Sequence, residues 1–157
     1  MKYLLCWELG MDLGHITAIK TMACELVKRG HDVVAAVKDT VHAHSQLANL
    51  GITWVQAPYA HGVKPRGRIF NHADILYSRG YHDSHSLAGY MHAWGSLFNL
   101  VKPDRIICDS SPTASLVARS MDIPVIAVDK GFFVPPVGDT LPQLAATPNV
   151  SKSFLKE

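Results

Sequence analysis

The chain has 157 residues and a formal net charge of +2, from 15 Lys and Arg against 13 Asp and Glu. That is one domain's worth of sequence, able to bury roughly two-thirds of its unfolded surface without staples; with no run of like charge, it lacks the basic surplus of a nucleic-acid-binding protein. Charged residues make up 18%, below the usual share of about 25%, so part of the surface is expected to have cover.

Residues 3–7, YLLCW, form a short continuous apolar run that predicts a strand covered on both faces. A turn follows over 8–14. Ile16, Ile19, Met22, Ala23, Leu26 and Val27 then fall on one helical stripe, with Lys20, Glu25 and Lys28 off it, and Gly30 stops the helix. Residues 32–37 predict a second strand, 40–49 a short helix closed by Gly51, and 52–55 a third strand. This β-α-β-α-β alternation implies a parallel sheet with right-handed crossovers.

Residues 59–72 break the rhythm. They mix turn formers with His61, Lys64, Arg66 and Arg68, and predict a long loop of the kind that often carries function. A short helix over 72–79 ends at Gly80. Leu87, Met91, Trp94, Leu97 or Phe98, and Val101 mark the strongest helix, capped by Asp83 or Ser84 and stopped by Pro103. Residues 105–108 predict a fourth strand. Ser111 then suits an N-cap, with Pro112 at the first helical position. The helix runs to about Ser120, Asp122 stands where glycine is preferred, and 125–128 predict a fifth strand. The fold class is therefore α/β, a Rossmann-like parallel sheet with helices on both faces, over residues 1–142. Residues 143–157 read as a tail or the start of an interdomain linker.

Cys6, Cys24 and Cys108 are odd in number, lack CxxC spacing and sit in apolar segments. They read as small buried hydrophobes in a reducing compartment. Glu8 ends the first apolar run well short of a signal peptide, and no stretch approaches the ~18 apolar residues of a membrane span. The expected location is the cytoplasm.

In an open parallel sheet, ligands bind beyond the carboxyl ends of the strands. His15 follows the first strand and Asp109 ends the fourth, so both belong to one rim. A carboxylate that fixes the tautomer of a histidine makes a general base. From spacing alone, the same positions also suit a capping aspartate and a histidine that only satisfies a helix N-terminus. Gly10 and Gly14 suggest close backbone approach to a ligand, but Gly-Met-Asp-Leu-Gly is neither a dinucleotide fingerprint nor a phosphate loop. His42 with His44, and His82 with His85, lack a third metal ligand in a recognised spacing and read as solvated or capping.

Gly14-His15-Ile16, leading through Glu25-Leu26-Val27-Lys28-Arg29-Gly30-His31-Asp32-Val33, resembles the opening of GT-B glycosyltransferases of the UDP-glucuronosyltransferase-like group. Asp109-Ser110-Ser111-Pro112-Thr113-Ala114, with Leu116, Ala118-Arg119, Asp122-Ile123-Pro124 and Gly131-Phe132, resembles a second block of that group. Pro135-Pro136 and Leu141-Pro142 resemble the segment beyond it, and Ala73-Asp74-Ile75-Leu76 with Gly80-Tyr81-His82-Asp83 and Trp94 fits a bacterial branch. The resemblance spans residues 3–142.

The resemblance implies the acceptor-side domain of a two-domain enzyme that moves a sugar from a nucleotide-sugar to an acceptor hydroxyl with inversion. It implies that His15 is the base and Asp109 its partner. For a domain of this kind, Gly10, Gly14, Arg66, Arg68, Trp94 and Ser110 are the expected substrate contacts, although Lys64, Arg66 and Arg68 also suit a solvated loop. The acceptor is a small molecule, glycan or lipid. The implied partner is a donor-binding domain in cis or in trans, without which this chain is inactive. No cofactor and no metal is implied; the nucleotide-sugar is a co-substrate. The chain departs from the pattern at Ile16-Thr17-Ala18, Met11-Asp12 and Asp122, and the donor domain's motif is not in it. A different class stays open, a non-catalytic Rossmann-like module that binds a ligand or partner, with His15 and Asp109 incidental.

Overall fold

The computed structural model describes residues 1–10, 13–60 and 69–128. The described residues fall into two compact units, one of Met1–Tyr59 with Gly89–Val128 and one that holds residues 60 and 69–88.

The first unit holds five strands: β1 (Lys2–Trp7), β2 (Asp32–Val37), β3 (Thr53–Gln56), β4 (Arg105–Asp109) and β5 (Val125–Val128). All pair in parallel, in the order β3-β2-β1-β4-β5. The chain winds outward from β1 through β2 to β3, then returns to lay β4 on the other edge of β1. The point where winding reverses lies between the carboxyl ends of β1 and β4, where Trp7 stands in register with Asp109.

Strand alternation sorts the core into two layers. Leu5, Trp7 and Ile107 face one side with Ile16, Ile19 and Ala23 of α1 (Leu13–Lys28) and Ala43 and Leu47 of α2 (Thr40–Leu47). Leu4, Cys6, Ile106 and Cys108 face the other, with Trp94 and Phe98 of the 18-residue helix α4 (Ser84–Val101) and Ala114, Val117 and Ala118 of α5 (Pro112–Ser120). Helices thus cover both faces, as expected. Cys6 and Cys108 are buried free thiols, and burial pushes the Cys6 thiol well up.

The helix ends follow local chemistry. α1 closes with Gly30 at φ +77, Gly30 N donating to Val27 O and His31 N to Leu26 O, the left-handed stop that glycine suits. Asp39 caps α2 by accepting from His42 N at 3.0 Å. A 3₁₀ turn, Ala48–Leu50, completes the helix expected over 40–49. Asp122 adopts φ +55, taking the left-handed position that glycine would fill more cheaply. The turn expected over 8–14 is shorter, because α1 begins at Leu13 and places His15 in its first turn.

In the second unit, α3 (His72–Leu76) starts with a capping box between Asn71 and Asp74 and runs into a π turn, Tyr77–Tyr81, that breaks at Gly80. Asp83 caps the start of α4 by accepting from Ser86 N at 2.9 Å. No helix among the described residues is long and apolar enough to cross a membrane.

Candidate functional site

Asp109 ends β4 on the same face as Ile107, which aims its carboxylate toward α1. His15 reaches it from the first turn of α1. The two sit 94 positions apart in sequence, with Nδ1 to Oδ1 at 3.0 Å and side chains only 16% and 7% exposed. An ionised carboxylate only accepts, so Nδ1 carries a proton and donates it to Asp109. The ring also stacks on Trp7, with centroids 5.4 Å apart and planes at 23°. Trp7 is itself fixed, its Nε1 donating to Leu9 O at 2.6 Å.

The third side of the imidazole meets Gly10. This glycine has φ +88, and a β-carbon there would run into Nε2 and lie 2.8 Å from Cδ2. Only glycine meets both demands, the left-handed backbone and the empty space before Nε2. Gly10 also lines a cavity of about 370 Å³ with Trp7, Lys38, Thr40, Gln56 and Tyr59. These residues follow the carboxyl ends of β1, β2 and β3, so the cavity opens on the rim that carries the dyad.

The two rim turns are tied to each other. Leu9 N donates to Ser110 O at 2.9 Å. Glu8, 2% exposed, accepts from Thr113 N at 2.8 Å and from Thr113 Oγ1 at 2.9 Å. Ser111 occupies the expected N-cap position of α5, yet its hydroxyl donates back to Asp109 O at 3.3 Å. Glu8 takes over the capping, satisfying one of the N–H groups that a helix start leaves over. Ser110 is held at φ +49, a left-handed strain for a non-glycine residue, directly after Asp109.

His15, Asp109 and Gly10 thus come together, and Ser110 adjoins them. Gly14 lies exposed in the first turn of α1, with open space where a β-carbon would stand. Trp94 requires a correction. It is 0% exposed, packed against Phe98 on the sheet face opposite to Trp7 and the dyad. It is a core residue, not a substrate contact, as its place on the apolar stripe of α4 dictates. Arg66 and Arg68, with most of the loop expected over 59–72, lie outside the described residues, as do Met11 and Asp12. Sequence reading missed Glu8, Trp7 and Lys38. Their signal was position: each stands at the end of a strand predicted to reach this rim.

His42 and His82, read as solvated or capping, show local contacts. His42 Nδ1 lies 2.6 Å from Asp39 Oδ2, three positions away. His82 Nδ1 bonds Tyr77 O at 2.8 Å and its ring stacks on Tyr77. No group of three or more possible metal ligands occurs among the described residues.

No family model matches the chain, and no curated protein matches it. Solved structures do. The chain is similar to MurG of Acinetobacter baumannii, with a TM-score of 0.56 and 19% identity, over 81% of this chain and 35% of that one. It is similar to the Streptomyces sp. SF2575 glycosyltransferase SsfS6, with a TM-score of 0.55 and 19% identity, over 81% and 38%. The spinosyn rhamnosyltransferase SpnG, complexed with spinosyn aglycone, matches with a TM-score of 0.53 and 18% identity, over 83% and 36%. These neighbours are GT-B glycosyltransferases, and the shared feature is the fold, a Rossmann-like α/β domain. The chain spans about a third of their length.

Proposed function

We propose that this chain is the acceptor-side domain of a GT-B glycosyltransferase of the UDP-glucuronosyltransferase-like group, acting in the cytoplasm. The observation that carries the reading is the His15–Asp109 contact of 3.0 Å at the reversal point of the sheet, with Nε2 turned to the glycine that lines the cavity. The acceptor, a small molecule, glycan or lipid bearing a hydroxyl, enters over Gly10. Nε2 of His15 takes the hydroxyl proton as the oxygen forms a bond to the anomeric carbon. The bond from that carbon to the diphosphate breaks, and its electron pair leaves on the phosphate oxygen of the nucleotide. Asp109 holds the tautomer and stabilises the imidazolium.

The nucleotide-sugar is held by a donor-binding domain, in cis or in trans, and this chain alone does not turn over. Ser110 and Gly14 border the acceptor path, and Arg66 and Arg68 meet an anionic part of the substrates. No metal or further cofactor takes part. The test is the product's anomeric configuration. With the donor-binding domain present, proton NMR of the glycoside should show inversion relative to the donor. Retention would refute the single-displacement reading, and binding of an acceptor without any transfer would favour a non-catalytic module.

A further inference from the structure

The cavity beyond the carboxyl ends of β1, β2 and β3 has a chemistry that narrows its ligand. Trp7 ends β1, Lys38 follows β2 and Gln56 ends β3, and all the lining residues belong to one compact unit. Its volume of about 370 Å³ lies near the lower end of ligand cavities, roughly 300–1,000 Å³. That suits a ring better than an extended chain. The wall carries both signs of charge. Lys38 Nζ donates to Gly10 O at 2.6 Å and lies 5.6 Å from the centre of the Tyr59 ring. Asp39 is the next residue. The backbone N–H of His42, then the His42 side chain, hold its carboxyl below the usual range, so it is ionised at neutral pH. An anion entering the cavity meets this carboxylate, and a cation meets the ammonium. An uncharged ligand avoids both repulsions.

The hydrogen-bonding groups call for hydroxyls. Gln56 Nε2 donates to Lys38 O at 2.7 Å and to Val37 O at 3.3 Å. Carbonyls only accept, so these bonds fix which end of the amide is which. Gln56 Oε1 is left as an acceptor and Thr40 Oγ1 as both donor and acceptor; neither oxygen bonds another group among the described residues. Each Asp39 oxygen takes one bond from His42 and keeps a further lone pair. A ligand that satisfies these groups must bring donors without bringing charge. Trp7 and Tyr59 add apolar surface beside them. A pyranose ring has this combination: several hydroxyls, no charge, and C–H faces that pack on aromatic carbon. We propose that the cavity holds an uncharged sugar ring, so that the acceptor hydroxyl is carried by a saccharide unit, selected by Asp39, Thr40 and Gln56. The proposal rests on the reading of this rim as the acceptor side, but its test is read from binding and not from turnover.

The experiment titrates the ¹⁵N-labelled full chain with the methyl glycosides of glucose, galactose, mannose and N-acetylglucosamine, and separately with phenol and with inorganic phosphate. At least one glycoside should shift the Gln56 side-chain amide and the Thr40 backbone amide saturably, while the Trp94 indole N–H, in the core, stays fixed. Thr40→Val, which keeps the shape and removes the hydroxyl, should weaken that binding about tenfold. If Thr40→Val does not fold, Gln56→Met is read in the same way. Unchanged glycoside affinity in the folded variant overturns the proposal. So does saturation of these signals by phenol or phosphate but by no glycoside, and so does the absence of saturable shifts with every probe. The two readings fail separately. Transfer by the assembled enzyme to a hydroxyl that no sugar carries, with no glycoside bound in the cavity, refutes the saccharide acceptor alone. Glycoside binding that Thr40→Val weakens, without any transfer, refutes the enzymatic reading alone.

Discussion

The Nε2 edge of His15 rests against the α-carbon of Gly10, in the space a β-carbon would occupy. A side chain there collides with the ring and also forces a non-glycine residue to φ +88. Gly10→Ala should therefore do two things. It should lower stability by about 1–2 kcal/mol through the left-handed backbone, and it should displace the imidazole. Chemical denaturation and turnover of the assembled enzyme check this together. Turnover should fall far more than the modest stability loss accounts for.

Glu8 and Thr113 join the turn after β1 to the helix after β4, across 105 positions. Removing the carboxylate leaves a buried amide and a buried hydroxyl to find other partners. Glu8→Ala should cost about 2 kcal/mol, the sum expected from a lost cap and its desolvated donors. Urea unfolding measures this. Thr113→Ala should lose less, because Glu8 keeps the Thr113 amide.

Asp39 caps α2, and the backbone N–H of His42, then the His42 side chain, hold its carboxyl below the usual range. A carboxylate with a lowered pKa in the folded state contributes stability above its unfolded value of about 3.9. That contribution is lost as pH falls through the lower folded value. Asp39→Ala should thus cost about 1 kcal/mol at pH 6, and the difference should shrink only below about pH 4. Unfolding curves of both proteins across that range check the sign.

Much of this arrangement was legible in the sequence, because its causes are local. The run YLLCW, the stripe through Ile16, Ile19 and Ala23, and the pair Ser111-Pro112 each dictate an element by themselves. His15 and Asp109 were legible as a pair because the parallel sheet brings the ends of β1 and β4 to one rim. What stayed hidden are contacts set by packing. Glu8 read as the end of an apolar run, yet it reaches a helix that starts more than a hundred positions later. Lys38 has no signal in the sequence beyond its place after a strand, and its bond to Gly10 depends on the strand order. Trp94 had two uses open to an aromatic on an apolar stripe. Its full burial beside Phe98 decides for the core, so Trp94→Ala should act on stability, by about 3–5 kcal/mol.

The central claim is that Nε2 of His15, held by Asp109, removes the acceptor's proton. The most direct measurement is the turnover of His15→Ala in the enzyme assembled with its donor-binding domain, at saturating nucleotide-sugar. A positioned base contributes roughly 10²–10⁴ in rate. The account predicts a loss of that size with acceptor binding retained, and a comparable loss for Asp109→Asn, which no longer imposes the Nδ1–H tautomer. Turnover of His15→Ala near that of the wild type would contradict it.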